Sequence, residues 1–316
     1  MKKQQRKQIS HSKIMIEYLE DTNRSDIFEN ISISPLDEMA AYEVIWDRPD
    51  MTFKKLADFF KQTNFVQLAK QVSPDKLINY RNKILSKLQS ADIQNFGVRI
   101  NNTFDYPQRL RDARNPVEIF YYRGNWDLIE SPKTIAVIGS RNASPEGIKR
   151  TQKLTKLLVK EGYTIVSGLA RGIDTTAHTT AINENGYTVA VIGTPITEAY
   201  PKENINLQEL IANKFLLISQ VPMIKYENQD YRKNRIFFPE RNALMSALTK
   251  ATVIVEAGEN SGTLIQAKEA LYQGRKLFIL DNCFCNPDFS WPNKYEKKGA
   301  IRVKDIHDIV TNLSDI

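Results

Sequence analysis

Two textures of apolar spacing divide the chain. Over residues 36–95 apolar positions recur at helical spacing in Met39–Trp46, Phe53–Phe60 and Leu77–Leu88, which predicts a small helical domain. Ser73-Pro74-Asp75-Lys76 predicts a helix start, with Ser as N-cap and Pro in the first turn. From Lys133 onward short, nearly all-apolar runs alternate with amphipathic stretches. The runs Thr134–Ile138, Thr164–Ser167, Tyr187–Ile192, Phe215–Ser219, Thr252–Val255 and Lys276–Leu280 read as strands buried on both faces. Helices are predicted at Pro145–Lys160, Asp174–Asn185, Ile205–Asn213, Arg241–Leu248 and Ser261–Gln273. Strand following helix in this way predicts right-handed crossovers and an α/β fold, a doubly wound and mostly parallel sheet. The domain plan is therefore an N-terminal arm at 1–35, a helical domain at 36–95 and an α/β sheet domain at 96–316. Residues 96–130 read as a bridge with short extended pieces at Val98–Asn101 and Ile119–Arg123. Gln220–Pro239 reads as a long loop.

Composition narrows the function classes. Apolar residues make up 41% of the 316 and charged residues 26%, as in a globular protein. No apolar run approaches a membrane span, and the basic start Met1–Gln8 has no apolar segment after it, so no membrane association and a cytoplasmic location are expected. Two cysteines, Cys283 and Cys285, and three histidines, His11, His178 and His307, are a poor supply for a metal centre, and neither metal nor cofactor is expected. Forty-four Lys and Arg against 37 Asp and Glu leave a net charge of +7. That excess suits either plain solubility or a polyanion partner.

In a sheet of this kind ligands bind beyond the carboxyl ends of the strands, so each strand is read with the loop after it. Gly139-Ser140-Arg141-Asn142-Ala143-Ser144 runs into Pro145, joining a flexible turn, a hydroxyl and a guanidinium to a helix N-terminus that favours anions. The next loop, Ser167–Asp174, carries Gly168, Arg171 and Gly172 ahead of another helix. His178 follows Asp174 on the same helical face, a pairing more often structural than catalytic. Gln220–Pro239 interleaves Lys225, Arg232, Lys233 and Arg235 with Tyr226, Tyr231, Phe237 and Phe238, a mixture that suits single-stranded nucleic acid and equally suits a loop pinned by its aromatics. Glu256–Thr263 adds Ser261, Gly262 and Thr263 before a further helix, a third phosphate-type cradle. No GxGxxG occurs, so the dinucleotide fingerprint is absent.

Read in order, Ala136–Arg141, Ser167–Asp174 with Ala177-His178, Tyr200–Asn204, Phe238-Pro239-Glu240-Arg241-Asn242 and Val255-Glu256-Ala257 leading to Ser261-Gly262-Thr263-Leu264 resemble the DNA processing protein A family (DprA, also called Smf). Asp105–Leu110, Tyr122–Asn125, Gly274-Arg275 and Gly299-Ala300 match further signposts, and the resemblance covers about residues 100–303. It implies an extended Rossmann-like domain that binds single-stranded DNA, loads the recombinase RecA in natural transformation and related recombination, pairs as a homodimer, and is not an enzyme. It carries a DNA-phosphate pocket onto Gly139, Ser140 and Arg141, and DNA contacts onto Arg235 and Phe238. Arg241 and Asn242 fill the motif itself, Asn242 serving equally well as a loop brace.

The chain departs from the family pattern in several places. The Pro-Gly-x-Gly hairpin of the helical domain is replaced by Asp47–Thr52, so the resemblance carries no DNA contact into that domain. Ser-Glu-x-Pro becomes Ser219-Gln220-Val221-Pro222, and Asp281-Asn282-Cys283 stands where Pro-Gly is usual. After Gly299-Ala300 there is room for one strand and one helix, so the winged-helix domain of many members is not expected. The arm at 1–35 has no counterpart. One competing reading is a nucleotide-binding or nucleotide-hydrolysing enzyme or sensor like the phosphoribohydrolases of the same sheet type. Gly258–Gln266 resembles their signature loosely, but Gln266 stands where the acid should be and cannot act as a general base. Another is the same module recruited to a defence or regulatory system.

Overall fold

The computed structural model describes residues 34–62, 68–103 and 105–314. The arm predicted at 1–35 lies outside them except for Ser34 and Pro35, which open the first helix. Among the described residues three α-helices form the N-terminal part: α1 (Pro35–Trp46), α2 (Phe53–Gln62) and α3 (Pro74–Ser90). Ser34 caps α1 by accepting from the Asp37 amide. Ser73 holds the N-cap position of α3 but makes no side-chain cap hydrogen bond.

Nine strands follow: β1 (Gly97–Ile100), β2 (Ile119–Gly124), β3 (Thr134–Gly139), β4 (Thr164–Ser167), β5 (Thr188–Ile192), β6 (Leu216–Ser219), β7 (Ala251–Glu256), β8 (Lys276–Leu280) and β9 (Ile301–Val303). They form one sheet in the order β1-β2-β6-β5-β4-β3-β7-β8-β9. Every neighbouring pair from β6 to β9 is parallel. The bridge expected at 96–130 is in fact part of this sheet: β1 and β2 pair antiparallel, and β2 pairs antiparallel with β6. The interleaving helices are α4 (Asp127–Glu130), α5 (Pro145–Lys160), α6 (Ile173–Asn183), α7 (Ile205–Lys214), α8 (Met223–Asn228), α9 (Phe237–Leu248), α10 (Thr263–Tyr272), α11 (Trp291–Glu296) and α12 (Ile306–Leu313).

The all-apolar strands serve two cores at once. In β3, Ala136 and Ile138 join a cluster with Leu244 of α9 and Ala267 of α10. Ile135 and Val137 join a cluster on the opposite face with Leu154 of α5 and Ala177 of α6. Alternate side chains of a strand point to opposite faces, so a parallel strand covered by helices on both sides must be apolar throughout.

The helical part shares a core with the sheet domain. Trp46 and Phe53 pack against Phe237 of α9, with ring centroids 6.1 and 5.8 Å apart. Tyr121, Val221 and Met223 belong to the same cluster. At its centre Glu43 of α1, fully buried, accepts from the first two amides of α8, Met223 at 2.7 Å and Ile224 at 3.1 Å. It also accepts from the Tyr121 hydroxyl at 3.2 Å. The long loop expected at Gln220–Pro239 is largely helical: α8, a 3₁₀ turn at Lys233–Ile236, and the start of α9, which begins at Phe237 rather than at Arg241.

Candidate functional site

The carboxyl ends of β3, β4, β5, β6 and β7 lie side by side in the sheet, so their following loops share one rim. The loop after β3 is fixed from three directions. The Ser140 amide donates to the Glu256 carbonyl at 2.8 Å, and the Thr263 hydroxyl donates to the Gly139 carbonyl at 3.2 Å. The Ser144 amide and hydroxyl donate to the Glu256 carboxylate at 3.0 and 2.5 Å. Ser144 in turn caps α5 by accepting from the Gly147 amide at 2.9 Å.

The loop after β4 packs against this one through Gly172. Its φ is +73°, a left-handed conformation that favours glycine, and a side chain there would also meet the Ser140 and Arg141 carbonyls. The Ile173 amide then donates to the Ser140 carbonyl at 3.2 Å. Asp174 folds back to accept from the Gly168 and Ala170 amides at 3.2 and 3.4 Å. Burial pushes its carboxyl pKa up, opposed by the nearby Arg241 charge and those amides. Asn204, from the Tyr200–Asn204 stretch, donates to the Leu169 carbonyl at 2.9 Å and the Thr175 hydroxyl at 2.8 Å, bracing the same loop. His178 makes no bond to Asp174. Its Nδ1 lies 2.7 Å from the Thr188 hydroxyl, which already donates to the Ile165 carbonyl, so Nδ1 is the donor. Full burial holds the imidazole down at about 3, and the neighbouring Arg241 charge acts in the same sense. The residue is a neutral internal brace.

Arg241 is a brace as well, although the sequence placed it among the phosphate-binding groups. Only 5% exposed, it donates to the Gly168 carbonyl at 2.5 Å, the Val191 carbonyl at 2.6 Å and Asn242 Oδ1 at 2.9 Å. Burial lowers it to about 10, with Asp174 opposing that shift, so it stays charged at neutral pH. Asn242 passes the link onward by donating to the Gly262 carbonyl at 3.3 Å. Those two contacts favour the bracing reading left open for Asn242.

Above these braces lies a cleft of about 430 Å³. Its walls include Gly139, Ser140, Arg141, Phe238, Arg241, Asn242, Ser261, Gly262 and Thr263, nine of the twelve residues singled out from the sequence. A second cleft of about 240 Å³ adjoins it and adds Gly168, Arg171, Tyr200 and Pro201. Arg141, Asn142, Ala170, Phe238 and Arg241 line both, so the two form one trough. Arg235 lines neither; it stands exposed on the 3₁₀ turn. Arg171 reaches the second cleft but is paired with Glu203, so it is not an open cation. Arg141 is exposed, lies over the Phe238 ring at 5.8 Å, and among the described residues has no carboxylate within ion-pair distance. Phe238 is further held edge-on by Tyr200, centroids 5.5 Å apart.

Sequence reasoning passed over Asn142, which lines both clefts, and Tyr200, which supports Phe238. Position in the loop beside a named residue was the available signal for the first, and membership of the Tyr200–Asn204 motif for the second. At the far wall α10 begins with Gly262 at its N-cap position, and Ser261 Oγ accepts from the Thr263 amide at 3.2 Å. A helix N-terminus, a free guanidinium and an aromatic face in one trough are fitted to an anion carrying planar groups. The acid required by the hydrolase-like reading is absent from its place: Gln266 is buried and donates to the Thr252 hydroxyl at 3.3 Å. Among the described residues no group of three or more His, Cys, Asp or Glu could hold a metal ion, and no helix is long and apolar enough to cross a membrane.

The fold is Rossmann-like, with a cleft lined by glycines, hydroxyls and arginines along one rim of its sheet. The family model of DNA recombination-mediator protein A matches residues 98–314, and the chain belongs to that family. It is 31% identical over 210 residues to DNA processing protein DprA of Bacillus subtilis, an alignment covering 66% of this chain and 69% of the relative. Other curated DprA and Smf relatives are matched over as little as 44% and 59% of their own length. Among solved structures, DprA of Streptococcus pneumoniae superposes with a TM-score of 0.62 at 27% identity, covering 90% of this chain and 96% of that one. A Helicobacter pylori DNA processing protein A, described for its single-stranded DNA binding mode, superposes with a TM-score of 0.58 at 25% identity, covering 70% and 96%.

Proposed function

We propose that this chain binds single-stranded DNA in the trough between Arg141 and Phe238 and acts as a recombination mediator, not as an enzyme. Arg141 neutralises a backbone phosphate, the α10 N-terminus and Ser140 hydroxyl hold a second anionic oxygen, and Phe238 offers its face to a base. Arg241, Asn242 and Gly168 act indirectly, by holding the rim in shape. The observation that carries this reading is the exposed, carboxylate-free Arg141 beside the half-buried Phe238 ring. The single-stranded DNA described for the Helicobacter pylori relative supports it. Loading of RecA onto the bound strand and pairing as a homodimer extend the proposal by family membership. The test is a gel-shift comparison of single- and double-stranded oligonucleotides over a salt series. Preference for the single strand, weakening as salt rises, is expected; preference for duplex overturns the assignment.

A further inference from the structure

A third cleft, of about 620 Å³, lies between α3 of the helical part and α8 of the sheet domain. We propose that the polynucleotide path continues into it, so that the helical part contributes a binding wall made of uncharged hydrogen-bonding groups. The inference rests on the single-stranded DNA reading above and extends it to a surface that neither the motifs nor the resemblance assign.

Two observations carry it. First, the three clefts follow the rim in strand order. The first lies at the loops after β7 and β3, and the second at the loops after β3, β4 and β5. The third is walled by Thr197 and Glu198 after β5 and by α8 after β6. One short loop therefore walls both the second cleft, through Tyr200 and Pro201, and the third. Strands lie about 4.8 Å apart, so the path from β7 to β6 crosses roughly 19 Å in one direction. Second, α3 turns a single face to the third cleft, bearing Asn79, Asn82, Ser86 and Ser90. Their spacing of three and four residues aligns them. All four are exposed, and among the described residues none of their side chains has a hydrogen-bond partner. The opposite face of α3, with Ile84 and Leu88, is buried in the core. Amides and hydroxyls carry both donors and acceptors, which match base edges and phosphate oxygens alike.

Charge in this cleft is balanced. Lys87 is paired with Glu227 at 2.5 Å, Lys83 lies over the Tyr80 ring, and Glu198 stands on the facing wall. Binding here therefore draws on hydrogen bonds, and its increment changes little with salt, unlike that of Arg141.

The experiment compares oligo-dT of about 6 and about 20 nucleotides, lengths that bracket one site and an extended one. The variant Asn79→Ala/Asn82→Ala/Ser86→Ala alters only exposed side chains on a helix surface, where alanine is favourable, and an unchanged melting temperature confirms its fold. It should bind the short oligonucleotide as the parent does and the long one about tenfold more weakly, with the difference kept at high salt. Arg141→Ala should weaken both lengths. Equal behaviour of the triple variant at the two lengths, whether loss or no loss, overturns the continued path. No loss from Arg141→Ala at either length instead overturns the single-stranded DNA reading on which it rests. A loss with the long oligonucleotide that disappears at high salt means the cleft acts by charge and contradicts the proposed chemistry.

Discussion

Arg241 reaches across from α9 to the carbonyl of Gly168 at 2.5 Å, and a side chain at position 168 would collide with its guanidinium. The glycine that opens the second loop is thus required by a cation rising beneath it. Gly168→Ala must displace Arg241 from two carbonyls in a closed interior, a cost of about 1–3 kcal/mol for overpacking. A lowered melting temperature together with weaker DNA binding is the expected outcome, measured by thermal denaturation and gel shift on the same sample.

Arg141 differs from Arg241 in having an open guanidinium. Arg141→Ala should leave the melting temperature near that of the parent while lowering affinity for oligo-dT several-fold. Because one phosphate contact is removed, the slope of log affinity against log salt should become shallower by about 1. Fluorescence anisotropy titrations at several salt concentrations read both quantities.

Phe237 and Phe238 are neighbours in sequence with opposite tasks. Phe237 is fully buried against Trp46 and Phe53, and truncation to alanine should cost about 3–5 kcal/mol of stability. Phe238 is half-buried at the trough, and Phe238→Ala should instead cost about 1–3 kcal/mol of binding for the base it stacks. Urea denaturation and binding titrations of the two variants should separate cleanly along this line.

Glu43 gives the junction of the two parts a pH dependence. Burial pushes its carboxyl up to about 7, against the three hydrogen bonds that favour its charge. The folded value lies above the ordinary one near 4.3, so the stabilisation is complete below that and is lost as pH rises towards about 7. His178 acts in the other sense: held at about 3, it withdraws stability as pH falls below its ordinary 6.5. Glu43→Gln stays uncharged throughout. Its melting temperature should lose the decline that the parent shows between about pH 4 and pH 7, whatever its absolute stability. Identical slopes would contradict the assigned burial.

Much of the parallel sheet was legible because strands covered on both faces must be apolar throughout; Thr164–Ser167 and Lys276–Leu280 match residue for residue. The antiparallel addition of β2 to β6 was not, since it joins segments about 95 residues apart whose pairing leaves no local signal. The stretch from Gln220 to Pro239 misled because interleaved cations and aromatics describe a nucleic-acid loop and a helix packed on one side equally well. The packing of Trp46 and Phe53 on its ring shows that Phe237 belongs to the core. Glycines, hydroxyls and arginines on the rim were readable as a set. Which arginine is open was not, because the partners of Arg241 are backbone carbonyls and that of Arg171 is Glu203.

The most direct test of the central claim is a crystal structure of this chain with oligo-dT. The account predicts a phosphate within hydrogen-bond distance of the Arg141 guanidinium and a thymine on the face of Phe238. Ordered DNA bound elsewhere, with the trough between Arg141 and Phe238 left empty, would contradict it.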